Sequence, residues 1–84
     1  MKVKVQLRLL KVNDDVEIEL KESSTIRHLL EKLVSIYGDD LKKLIYSTRQ
    51  RFGVMAIVNG ERSKLDQKLK HKDELLLILP VVGG

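Results

Sequence analysis

Hydrophobic and polar residues alternate strictly at the start of the chain. Val3, Val5, Leu7 and Leu9 are separated by Lys4, Gln6 and Arg8, the period-two pattern of a strand with one buried face. Val16, Ile18 and Leu20 repeat it around Glu17 and Glu19. Val12-Asn13-Asp14-Asp15 lies between the two runs and supplies turn chemistry. Together they predict an N-terminal hairpin over 2–10 and 15–20. The period then lengthens. Ile26, Leu29, Leu30, Leu33, Val34 and Tyr37 recur at helical spacing, which puts them on one stripe. Thr25 offers a side-chain acceptor to the first turn, and Gly38 stands where a left-handed stop is wanted. A helix over 25–37 follows.

The next stretch is less regular. Leu41, Leu44 and Ile45 suit a short helical turn, and 47–51 reads as a mobile loop. Phe52–Val58 reads as a strand that ends in Asn59-Gly60, a tight-turn pair, with Glu61-Arg62-Ser63 as a brief return. Leu65 and Leu69 predict a short helical connection, and Lys70-His71-Lys72-Asp73 a polar turn. Glu74 to Leu79 is the most apolar run, and such a strand belongs in the middle of a sheet. If Leu75, Leu77 and Leu79 face the helix, Leu76 and Ile78 fall on the opposite face. In a one-helix domain that face is open to water, so two apolar side chains there point to a partner surface. The plainer alternative is cover from neighbouring strands and long Lys or Arg stems.

The order of elements is hairpin, helix, strand, short turn, strand. One helix must bury its stripe on one face of a mixed sheet. With the last strand parallel to the first, the class is α+β with the β-grasp architecture, a mixed sheet packed on one main helix. The 84 residues leave room for one core only. We expect a folded domain over 1–79 and an extended tail over 80–84.

Composition narrows the chemistry. The chain has no cysteine, which removes disulfides, thiolate metal sites and a thiol nucleophile. Sixteen basic and 12 acidic residues give a net charge of +4, a modest excess that suits an acidic partner or an ordinary solvated surface. His28 and His71 have no local ligand partner at metal spacing, so no metal or bound cofactor is expected. Ser23-Ser24-Thr25 is explained by capping, and the acidic pairs at 14–15, 39–40 and 73–74 by turns and a helix exit. Lys42, Lys43, Arg49 and Arg51 with Tyr46 and Phe52 could contact RNA, but the basic face is too dilute to favour nucleic acid. No apolar run follows the first lysines as in a secretory signal, and none approaches a membrane span. A cytoplasmic protein is expected.

Three segments carry a family resemblance: Val58-Asn59-Gly60-Glu61, Leu69-Lys70-His71-Lys72-Asp73-Glu74-Leu75, and Leu79-Pro80-Val81-Val82-Gly83-Gly84. The chain resembles the ubiquitin-like β-grasp sulfur carriers, in particular the small subunit of molybdopterin synthase and the related thiamine-biosynthesis carriers. Those proteins show a Val-Asn-Gly turn, a Leu-x-x-Gly-Asp-Glu-Val segment and a Pro-Val-x-Gly-Gly end. The chain departs from the pattern where Lys72 replaces the glycine before Asp-Glu, so that turn must tolerate a side chain at some strain. Lys4, Gln6, Arg8 and Arg62 also stand where the molybdopterin subunit tends to be apolar.

The resemblance implies a mechanism. The Gly84 carboxylate is joined to AMP by a ubiquitin-activating-type adenylating enzyme using ATP. Sulfur then displaces AMP to give a thiocarboxylate, which donates its sulfur in molybdenum or tungsten cofactor biosynthesis within a complex with the molybdopterin synthase large subunit. The carrier is not catalytic alone. Gly84 would carry the reactive carbonyl and Gly83 would give clearance beside it. Pro80 would end strand pairing, and Val81 and Val82 would rest in grooves of the partner. Leu76 and Ile78 complete the expected partner-binding set. Thiamine thiazole synthesis and protein modification through Gly84 are alternative destinations. A non-covalent ubiquitin-like adaptor or an RNA-binding module needs no terminal carboxylate, nor does a frayed end without a role.

Overall fold

The structure is a computed structural model and describes residues 1–9, 12–45 and 54–78. Strands β1 (Lys2–Arg8) and β2 (Asn13–Glu19) come first. Helices α1 (Ile26–Tyr37) and α2 (Asp39–Ile45) follow, then β3 (Met55–Val58), β4 (Glu61–Ser63) and β5 (Glu74–Ile78). The strands form one five-stranded sheet in the order β2-β1-β5-β3-β4. Among the described residues only β1 and β5 run parallel; β1–β2, β3–β5 and β3–β4 are antiparallel. The most apolar strand therefore takes the centre, as its composition required.

One face of this sheet is buried under α1. Ile26, Leu29, Leu30 and Leu33 are inaccessible to solvent, as are Val3, Leu7 and Leu77. Each such side chain contributes about 1.5–3 kcal/mol by leaving water. Leu41 is buried on α2, so the short helix is held by packing and not by its own length.

The start of α1 follows the sequence signal. Thr25 Oγ1 accepts from the His28 amide at 3.4 Å, and the Thr25 amide donates to His28 Nδ1 at 3.0 Å. This is a reciprocal capping box with histidine in the place usual for Glu or Gln, so His28 has a structural job. At the other end Gly38 donates its amide to the Val34 carbonyl, but at φ 79° and ψ −152° it is not the αL stop expected; it joins α1 directly to α2 in a conformation that glycine permits.

Three boundaries differ from expectation. Strand β2 begins at Asn13, opposite Arg8, so Asn13 and Asp14 are ladder residues and not turn residues. At a sheet edge their polar side chains stay solvated and bond locally: Asp14 Oδ1 accepts the Asp15 amide at 2.9 Å. The segment holding Leu65 and Leu69 forms turns and an isolated bridge to Thr25, and no helix. Its carbonyls are used elsewhere. Leu65 and Gln67 accept the amides of Arg27 and Ile26, two orphan donors of the first turn of α1. Finally, β1 stops at Arg8 and β3 begins at Met55, so Leu9 and Val54, expected in strands, lie outside the ladders; Leu10, Phe52, Leu79 and the loop expected over 47–51 lie outside the described residues.

Candidate functional site

The tail expected to carry the reactive group, Pro80, Val81, Val82, Gly83 and Gly84, lies outside the described residues. What the structure describes is the strand that leads to it and the sheet face around that strand.

Strand β5 alternates as predicted. Leu75 and Leu77 are 2% and 0% exposed, while Glu74, Leu76 and Ile78 point to the face away from α1, with Leu76 and Ile78 only half-buried. The pairing adds two residues that the sequence reading passed over. Ile57 is in register with Leu76, and Met55 with Ile78; both are half-buried and alternate with the buried Ala56 and Val58. Cross-strand partners share a face, so Met55, Ile57, Leu76 and Ile78 form one apolar stripe on the open side. The same period-two test, applied to Met55-Ala56-Ile57-Val58, would have found the other half of it. No strand β1 residue extends the stripe, because Gln6 faces Leu76 and Arg8 faces Ile78 in register.

Charges frame the stripe. Arg8 is pinned by an ion pair to Asp15 Oδ1 at 2.8 Å and by hydrogen bonds to the carbonyls of Leu7 at 2.8 Å and Asp14 at 3.2 Å. Lys4 stands in register between Glu17 and Glu74. A depression of about 750 Å³ runs over this part of the face, lined by Lys4, Gln6, Glu17, Ile57, Glu74 and Leu76 among others. Behind the hairpin, Tyr37 OH donates to Asp14 Oδ2 at 3.0 Å. Burial, and then the hydrogen bond to Asp14 and its charge, raise the Tyr37 pKa above the ordinary 10.0.

The two inner motif segments meet each other. Asn59 and Gly60 take φ values of 50° and 86°, the left-handed pair of a tight hairpin turn. From that turn Asn59 Nδ2 donates to Asp73 Oδ1 at 2.9 Å, and Asn59 Oδ1 accepts the Glu74 amide at 3.0 Å. Asp73 Oδ2 accepts the Lys70 amide at 2.7 Å. The carboxyl group thus ties the turn before β5 to the β3–β4 hairpin and sets where β5 begins. Since a one-residue slip would exchange the faces of the whole strand, this clasp decides that Leu76 and Ile78 face outward. Lys72 has φ 72°: the side chain that replaces a glycine does sit in the left-handed region. His71 Nδ1 accepts the Lys2 amide at 3.0 Å, so both histidines serve the backbone.

Among the described residues, no three His, Cys, Asp or Glu side chains gather as a metal site, and no helix is long and apolar enough to cross a membrane. Lys42 and Lys43 are exposed on α2, whereas Tyr46, Arg49, Arg51 and Phe52 lie outside the described residues. Nothing described here forms a nucleophile, acid or base constellation. The arrangement can present a surface to another protein.

A central β5 between β1 and β3, one main helix across the sheet and a clasped final strand define a ubiquitin-like β-grasp protein. The profile of the ThiS family matches residues 2–84, and the chain belongs to that family. No curated protein matches the sequence. Among solved structures, SAMP1 from Haloferax volcanii is 21% identical, with a TM-score of 0.82 and 100% of both chains covered. A protein assigned as molybdopterin converting factor, subunit 1, from Pyrococcus furiosus is 26% identical, with a TM-score of 0.68, over 95% of this chain and 98% of that one. The Caldiarchaeum subterraneum ubiquitin is 17% identical, with a TM-score of 0.63, over 100% of this chain and 98% of its own.

Proposed function

We propose that the chain is a sulfur carrier whose working group is the carboxylate of Gly84. The observation that carries this reading is the family match, which runs through to residue 84 and so takes in Gly83-Gly84. The apolar stripe of Met55, Ile57, Leu76 and Ile78 supports it. The stripe spans β5, the strand that leads to the tail, and its neighbour β3, and offers a docking surface for the enzymes that act on the tail. In the proposed sequence Gly84 attacks the α-phosphate of ATP in an adenylating enzyme and pyrophosphate leaves. A sulfur nucleophile then displaces AMP from the mixed anhydride, leaving a thiocarboxylate. The activating enzyme supplies the ATP site and the acid–base chemistry. This chain supplies the stripe, which holds the two proteins together, and the tail over 80–84, which threads into the site. Pro80 has no N–H to extend the ladder, and the two glycines fit a narrow channel.

Proteins of this family work with partner enzymes, and a sulfur-accepting enzyme is the expected second partner. Likeness to the Pyrococcus furiosus protein favours molybdopterin synthesis, with the large subunit of molybdopterin synthase as that partner. The test is intact mass after incubation with ATP, the adenylating enzyme of the same organism and a sulfur source. Exchange of one oxygen for sulfur adds about 16 Da, and deletion of Gly84 abolishes the gain. A full-length protein that binds the enzyme yet never gains that mass would refute carriage. Mass gains equal to the chain less one water, lost as the amide to a lysine of another protein forms, would instead indicate a modifier.

A further inference from the structure

On the open face of the sheet the basic residues of β1 each have a carboxylate in register or in contact. Lys2 is in register with Glu19, Lys4 lies between Glu17 and Glu74, and Arg8 is paired with Asp15 at 2.8 Å. Arg62 differs. It sits on β4 in register with Ile57, and so at the outer margin of the apolar stripe, where the sheet ends. Its side chain is exposed, and among the described residues it makes no ion pair. The residues two places away, on the same face by strand alternation, are Gly60 and Lys64. Neither offers a carboxylate. Glu61 is in register with the buried Val58 and belongs to the other face.

An exposed cation of this kind is solvated at no cost in the free protein. Once a partner covers the stripe, water is displaced from its margin, and an unanswered guanidinium there opposes docking. A carboxylate opposite it reverses the sign and adds a planar, two-point contact that lysine cannot copy. We infer that Arg62 is a specificity-determining residue of this face: it reads an Asp or Glu side chain on the adenylating enzyme, placed just beyond the β4 edge of an apolar patch that covers Met55, Ile57, Leu76 and Ile78. A partner with the apolar patch alone is discriminated against by the same residue. The inference rests on the proposed activation of Gly84 and adds the chemistry of the surface that must recognise it.

The test uses the full-length chain and the adenylating enzyme of the same organism, with ATP–pyrophosphate exchange as the rate. Arg62→Glu raises KM for the carrier about tenfold or more and leaves kcat at saturation unchanged, as a docking contact requires. Arg62→Lys falls between it and the wild type. Added salt raises KM for the wild type and leaves that of Arg62→Ala nearly flat. Unchanged thermal midpoints exclude a folding effect. An Arg62→Glu protein with KM within about twofold of the wild type overturns the inference while the sulfur-carrier reading stands. If the wild type supports no exchange, the sulfur-carrier reading fails by itself. Direct calorimetric binding then decides on Arg62: affinity lost on charge reversal sustains its role, and affinity unchanged or absent refutes it.

Discussion

Removing the carboxylate of Asp73 should destabilise the protein more than its place in a surface turn suggests. Asp73 is only 9% exposed, and it accepts from the Lys70 amide at 2.7 Å and from Asn59 Nδ2 at 2.9 Å. Hydrogen bonds to an ionised acceptor contribute about 1.5–3 kcal/mol each. Lys70 and Asn59 are themselves exposed, so water replaces part of the loss, and the lower end of that range applies to both bonds. Asp73→Ala should therefore cost about 2–4 kcal/mol. For a domain of this size that lowers the thermal midpoint by roughly 8–30 °C. Asn59→Ala should cost about 2 kcal/mol, because it releases the Glu74 amide and places alanine at φ 50°. The two residues share one bond, so the double variant should lose less than the sum, with a coupling of about 0.5–2 kcal/mol. Urea unfolding monitored by circular dichroism measures all three. An Asp73→Ala cost below about 0.5 kcal/mol, or strict additivity in the cycle, would show that the clasp does not hold the start of β5.

Lys72→Gly, at φ 72°, should stabilise the protein by about 0.5–1 kcal/mol, and Gly60→Ala, at φ 86°, should destabilise it by at least as much; paired melting curves decide both. Leu33→Ala, at a position with 0% exposure under the sheet, should cost about 2–5 kcal/mol. Leu76→Asp, on the open face, should cost far less stability yet abolish binding to the activating enzyme by calorimetry. Folded Tyr37 holds its proton more tightly than the unfolded chain does. Its contribution is therefore complete below pH 10.0 and is lost as the pH rises through the folded-state value. The stability gap between the wild type and Tyr37→Phe should shrink over that alkaline range and stay constant near neutrality.

Local order was legible in the sequence wherever a residue acts on its immediate neighbours. The alternation of Val3, Val5 and Leu7, the 3.6-residue stripe from Ile26 to Leu33, the Thr25 cap, the Gly38 stop and the Asn59-Gly60 turn all depend on sterics and hydrogen bonds within a few residues. The departure at Lys72 was equally readable, because left-handed backbone is a property of one position. Strand period put Leu76 and Ile78 together on the face opposite Leu75 and Leu77, but in an all-apolar run it could not say which pair meets the helix. Met55 and Ile57 join Leu76 and Ile78 only because β3 pairs with β5 in that register, and no local pattern specifies which strands become neighbours. The segment from Leu65 to Leu69 shows the converse. Its leucines are spaced for a helix, but its carbonyls are claimed by the first amides of α1, some 40 positions earlier in the chain. The clasp from Asn59 to Asp73, and the place of Arg62 opposite Ile57 with no ion pair among the described residues, are likewise facts of long-range assembly. Hydrophobic period and turn chemistry settle what each segment is; which polar groups meet, and which are left without a partner, is settled only when the whole sheet closes.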